Sequence, residues 1–163
     1  MTGVPVRGHS TTRLGAAVVI LAAWTGAAFL SMAVVAPAAF AVLPSRTLAG
    51  AMVGRVLDTL FPAGILMALV VAALARGVRR ASFASLLAMV ACAWAQFVID
   101  PRIAQLREAI GGPVDALAAD DARRVAFGRL HGYSVGGLGI AMLAAITALV
   151  FILKALRTGP RTA

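Results

Sequence analysis

The sequence predicts an all-α protein, a four-helix transmembrane bundle, and three observations carry that prediction. Four apolar stretches without Asp, Glu, Lys or Arg (residues 14–45, 59–75, 81–99 and 130–153) fill most of the 163-residue chain. A hydrocarbon core of about 30 Å needs about 20 apolar residues as helix, so the stretches have spanning length or approach it. Hydrophobic residues make up 61% of the chain and charged residues 13%, where soluble domains carry about 25% charged. The mean hydropathy is +0.95. Finally, the basic residues bracket the apolar stretches, as topology signals do. One membrane domain, residues 13–157, is expected between a disordered polar tail, 1–12, and a basic C-terminal tail, 158–163.

Helix 1 is expected over Leu14 to Ala36. Ala23, Ala27 and Ser31 recur every four residues on it, which permits close helix approach. Arg7 and Arg13 before an apolar run, with Ala39-Phe40-Ala41 after it, imitate a signal peptide. A signal core is only about 7–15 residues, so a retained helix is the better reading. Pro37 is expected to end this helix, and Pro37 and Pro44 to bracket a turn-like exit.

Residues 46–58 read as half-polar helix, with Arg55 and Asp58 three apart on one face and placed to pair. Between Asp58 and Arg76 the helix covers about 25 Å, shorter than the hydrocarbon, so Asp58 lies near the headgroup boundary or faces the protein. Pro62 is expected to weaken or kink helix 2 there. Arg76, Arg79 and Arg80 form a short basic turn before helix 3, about Ala81 to Ile99.

Asp100-Pro101-Arg102 reads as an N-cap and helix restart. It predicts a short amphipathic surface helix, 101–110, ended by Gly111-Gly112-Pro113, with another helix starting near 120. On that last helix Arg124, Phe127, His131, Ser134 and Leu138 share a face. Gly132 and Gly136 would admit a close neighbour beside His131, and Gly137, Ala141 and Ala145 form a second small-residue seam.

Antiparallel spans place connections 1 and 3 at one end of the bundle. Arg55, Asp58, Gln96, Asp100, Arg102, Arg129, His131 and Ser134 therefore gather at one rim, and all six acids fall on that side. The dense 76–80 turn favours N- and C-termini in the cytoplasm. No span carries an ionisable group at mid-depth, which disfavours a proton relay.

Several function classes recede. The net charge of +9 is spread around the spans, without aromatics among the arginines, so anionic lipid of the bilayer suits it and nucleic acid does not. Cys92 is the only cysteine, which rules out an internal disulfide or a CxxC pair. His9 sits in the tail, so two histidines cannot grip a haem across the bundle. His131 and Ser134 are too sparse for a hydrolase triad, and the chain is not read as an enzyme. Copper(I) favours Met, Cys and His; His131, Met32, Met52, Met142 and Cys92 are available, without ligand spacing.

These pieces resemble the transmembrane protein 205-like family. The likeness rests on Pro37 with Phe40, on Ala49-Gly50 with Gly54, on Asp100-Pro101-Arg102, and on Phe127-x-x-x-His131-Gly132-x-Ser134, in that order over residues 14–155. The resemblance implies a four-helix membrane protein of unknown biochemical activity. It also implies a loose kinship with copper-resistance membrane proteins, and a eukaryotic member is linked to platinum-drug resistance. Two polar members of the family pattern are absent, since Ala95 (beside Gln96) and Leu138 stand where asparagines are expected.

Two functions follow as expectations for a bacterial cytoplasmic membrane protein. In one, the polar rim of His131, Asp100, Arg102, Arg55, Asp58, Ser134 and Gln96 binds or exports a metal ion, with His131 as ligand, or a small solute. In the other, the small-residue seams pack a second copy or another membrane protein, and there is no ligand.

Overall fold

The structure, a computed structural model, describes residues 7–158, with side chains from Thr11 onward. Helix α1 (Arg7–Leu30) passes through a π-helical turn, Ser31–Val35, into α2 (Ala36–Val42). Helix α3 (Arg46–Leu74) returns, and α4 (Arg79–Trp94) runs through a second π-turn, Ala95–Ile99, into α5 (Asp100–Ile110). A 3₁₀ turn, Val114–Ala116, precedes α6 (Ala122–Arg157). Four continuous helical stretches are long and apolar enough to cross a membrane: Thr11–Val42, Arg46–Leu74, Arg79–Ile110 and Ala122–Arg157. They form an up-down-up-down ring in which α1 touches α3 and α6, and α4 touches α3 and α6.

Packing follows the logic of a bilayer. The interior is lined by small residues, including Ala81, Ala84, Ala88 and Ala95 on α4 and Ala141, Ala144, Ala145 and Ala148 on α6. Large apolar side chains point outward, with Phe83 74% and Leu143 68% exposed. Lipid is as apolar as leucine, so helix association depends on close van der Waals contact between small residues. Gly64 is the tightest approach. A Cβ there would lie 2.7 Å from Cys92 Sγ and 2.8 Å from the Trp24 ring. The Trp24 indole is itself held by donating 3.0 Å to the Leu60 carbonyl, one turn from Gly64.

The structure corrects the reading of the prolines. Pro37 does not end helix 1, and Pro101 does not begin a new helix. Each follows a π-turn by two residues, and the chain stays helical through both. A proline has no N–H, and its ring clashes with the carbonyl four residues back. Widening the preceding turn, with Ala36 N–H on Ser31 C=O and Asp100 N–H on Ala95 C=O, makes room for the ring. Asp100 consequently has helical φ and ψ and forms no cap. The surface helix expected at 101–110 is α5, an extension of the third span. It ends at Gly111, whose φ of 66° is the left-handed value glycine tolerates. Helix α3 contains Pro62 without interruption. The exit from α2 lies at Leu43–Ser45, where the Ser45 hydroxyl accepts from Leu48 N–H at 3.2 Å as N-cap. Helix α1 starts at Arg7, earlier than the expected Leu14, and Arg13 donates to the Ala73 and Leu74 carbonyls at the end of α3. The tail residues 1–6 and 159–163 lie outside the described residues.

Of the two small-residue seams, the one on α6 is filled within the chain. A Cβ at Gly137 would meet Ala95 and Trp94 at 3.5 Å, and Ala141 and Ala145 are fully buried. Ala23 and Ala27 on α1 face outward. Gly132 and Gly136 also face outward with nothing within 4 Å of a Cβ, so they do not bury His131.

Candidate functional site

The π-turn and Pro37 shape the rim formed by connections 1 and 3. Beyond Leu30 the first helix keeps contact with α3 through α2. A cavity of about 320 Å³ lies between this segment, α3 and α6. Ser31, Met32, Val35, Pro37 and Phe40 line it from the first span, Val53, Val56 and Leu57 from α3, and His131, Val135 and Leu138 from α6. The wall is apolar except for Ser31 and His131. The Ser31 hydroxyl is committed to the Ala27 carbonyl at 2.8 Å. His131, exposed at the wall, has no hydrogen bond or ion pair among the described residues, and it is the polar group the cavity offers.

His131 is positioned by stacking. Its ring lies parallel to Phe127, one turn away, with an interplanar angle of 2° and centroids 6.5 Å apart. The Arg107 guanidinium carbon sits 5.3 Å from the Phe127 centroid, in cation–π range. Arg107 is also an electrostatic neighbour of His131. Its Nη2 lies 3.7 Å from where a Gly50 Cβ would stand, so Gly50 leaves the path of this side chain open. Arg107, Phe127 and His131 thus link α5 to α6 across the rim. Sequence reasoning placed His131 in the site and named Phe127 and Gly50 only as structural motif residues, and it passed over Arg107, because a long side chain reaching between helices leaves no periodic signal.

The remaining rim residues divide in two. Asp100 Oδ2, Gln96 Oε1 and Ser134 Oγ are buried without a hydrogen-bond partner. Asp100 has Asp58 of α3 as an electrostatic neighbour. Ser134 lies one turn rimward of Gly137, which packs on Ala95, and so is level with the second π-turn. Arg55, Asp58 and Arg102, by contrast, are exposed and have no side-chain partner among the described residues. The expected Arg55–Asp58 pair does not form, and neither acid pairs with His131. Among the described residues the ion pair within 4 Å is Arg123–Asp121 at 2.9 Å, where Asp121 caps α6 by accepting from Arg123 N–H at 2.8 Å. Arg123 beside it holds the Asp121 carboxyl down at about 2. Arg124 donates to the Leu117 carbonyl at 2.8 Å and anchors the third connection.

The donor set does not fit a copper centre. Among the described residues no three His, Cys, Asp or Glu side chains stand close enough to hold a metal ion together. His131 and Met32 share the cavity, but Cys92 is buried in the core beside Gly64, Met142 packs against that core, and Met52 is exposed on α3.

No curated protein and no solved structure matches the chain. A family model described as a domain of unknown function, DUF4149, matches residues 19–111. The matched segment holds both π-turn prolines, Gly50, Asp58, Asp100 and Arg107, while Phe127 and His131 follow it on α6. Since the match covers more than half of its length, this four-helix membrane protein belongs to the DUF4149 family.

Proposed function

We propose that this protein is a membrane binding protein, not an enzyme, that takes a small amphipathic organic solute into the cavity beside His131. The observation that carries this reading is the coincidence of an apolar cavity of about 320 Å³ with one uncommitted polar side chain on its wall. Volumes of roughly 300–1,000 Å³ with a few convergent polar groups are typical of small-molecule sites. The apolar body of the solute packs on Met32, Phe40, Leu57 and Leu138. A hydrogen-bonding or anionic head is met by His131, with Arg107 behind it. A cation is the poorer occupant, because Arg107 opposes it and, among the described residues, no cluster of anionic ligands supports it.

The reading extends to placement and kinship. Both termini lie in the cytoplasm of a bacterial cell, on the strength of the basic 76–80 turn. Kinship with the transmembrane protein 205-like family rests on the motifs quoted above. The assembly alternative is weakened by the filled α6 seam, which leaves it Ala23 and Ala27 of α1.

The test is a binding screen on the full chain in nanodiscs, using amphipathic carboxylates, neutral analogues and amines, with copper(I) titrated in parallel. Carboxylates of cavity size are expected to raise the unfolding temperature of wild type. His131→Ala and the cavity-filling Val135→Trp should remove that shift while leaving the unliganded protein folded. Retained binding in both variants, or stoichiometric copper(I) binding that depends on His131, would overturn the proposal.

A further inference from the structure

At the end of the bundle opposite His131, a groove of about 610 Å³ runs between α4 and α6. It exists because the seam there is built from alanine. Ala84 and Ala144 form its floor, while Phe83 and Leu87 on one side and Leu143 and Phe151 on the other stand up as walls. The groove is apolar along its length except for Thr147, whose hydroxyl is engaged with the Leu143 carbonyl at 2.7 Å, and at its end stand Arg79 and Arg80. The Arg80 guanidinium carbon is 5.9 Å from the Phe151 centroid, which keeps its charge at the mouth.

Among the described residues, the charges at this end have no acidic partner. All six acids are at positions 58, 100, 108, 115, 120 and 121, toward the other rim. Arg13 and Arg76 are engaged with the carbonyls that end α3. Among the described residues, Arg79 and Arg80 have no hydrogen bond or ion pair. Two adjacent guanidinium groups at the head of a lipid-facing apolar groove complement a molecule with a hydrocarbon tail and a phosphate head. A second copy of the chain in the same membrane orientation would bring arginine against arginine, which like-charge repulsion opposes.

We propose that this groove is a binding site for an anionic phospholipid. One acyl chain lies on Ala84 and Ala144, between the walls of Phe83 and Leu143, and the phosphate is held by Arg79 and Arg80. The site is independent of the His131 cavity, at the other end of α6.

Native mass spectrometry of the full chain tests it, with phosphatidylglycerol and phosphatidylcholine of identical acyl chains as probes. Wild type is expected to retain one phosphatidylglycerol in clear preference to phosphatidylcholine. The double substitution Arg79→Gln, Arg80→Gln should weaken phosphatidylglycerol by on the order of 30-fold, from two arginines near an anionic head. Arg76→Gln, in the same turn but engaged with the Ala73 carbonyl, should stay close to wild type. Leu143→Trp keeps the charge, fills the groove and should weaken both lipids. Equal affinity for the two lipids in wild type would overturn the proposal. So would a loss in Arg76→Gln as large as in the double variant, an unaffected Leu143→Trp, or a lipid-free dimer, which would give the groove to a second copy.

Discussion

Gly64 shows how much a single position carries. Three helices meet over its missing side chain, and one of the neighbours, Trp24, is fixed by its hydrogen bond to Leu60. Gly64→Ala is therefore expected to destabilise the fold by roughly 1–3 kcal/mol, the usual cost of overpacking a rigid contact. Reversible unfolding in mixed micelles measures it, and a neutral result would mean that Trp24 moves freely. Asp121 makes a second prediction. Its carboxyl is held at about 2, against an ordinary 3.8, by Arg123. A depressed folded-state value means that the cap is fully present above the ordinary value and is lost as pH falls from there through about 2. Hydrogen exchange in the first turn of α6 should accelerate over that window, and Asp121→Ala should show the same fast exchange at neutral pH. At this scale the sequence was partly legible. It marked His131, Ser134 and Asp100 as rim residues and put Phe127 on the same helix face as His131. It paired Arg55 with Asp58 by spacing alone, and spacing on a helix does not determine whether two exposed side chains meet. Arg107 stayed hidden, since its partners lie on other helices.

Among the elements, the prolines teach most. In water-soluble helices a proline ends or kinks a helix or sits at its first turn; Pro37 reads as an end and Pro101 as a start. Here the turn before each widens, and both spans continue past the proline toward the rim. Neighbouring helices and local π adjustment make this tolerable in a membrane helix. The consequence is a cavity: the first of these turns and Pro37 supply one wall beside His131. The N-cap of α3 is a simpler device. Ser45→Ala removes the acceptor for Leu48 N–H, and is expected to cost about 1 kcal/mol, readable as faster exchange at residues 46–48. Unchanged exchange there would show that the preceding Pro44 turn holds the helix start without the hydroxyl.

The whole molecule has two unlike ends. One carries all the acids, the His131 cavity and a third connection pinned by Arg123 and Arg124. The other carries basic residues without acids, Lys154 among the arginines, and Arg13 and Arg76 close the end of α3. Orientation in the bilayer is checked with single cysteines in a Cys92→Ser background. Gly77→Cys should be shielded from a membrane-impermeant maleimide in intact cells, and Gly112→Cys should be labelled. The reverse pattern would invert the proposed topology and place the Arg79–Arg80 groove in the outer leaflet.

The apolar stretches of the sequence by themselves determined that the chain is a membrane bundle of four helices. Twenty-residue apolar stretches have one stable fate in hydrocarbon, where every backbone group must be bonded within its own helix. The basic 76–80 turn likewise marked where the second span ends and the third begins, whereas the arginines at the rim lie within the helices. Which residues form a site was decided only by the tertiary structure. The His131 cavity depends on a π-turn in the first span, on an arginine arriving from α5, and on a glycine of α3 that lets it pass. Each is a contact between segments far apart in the chain, and local periodicity carries no record of such contacts.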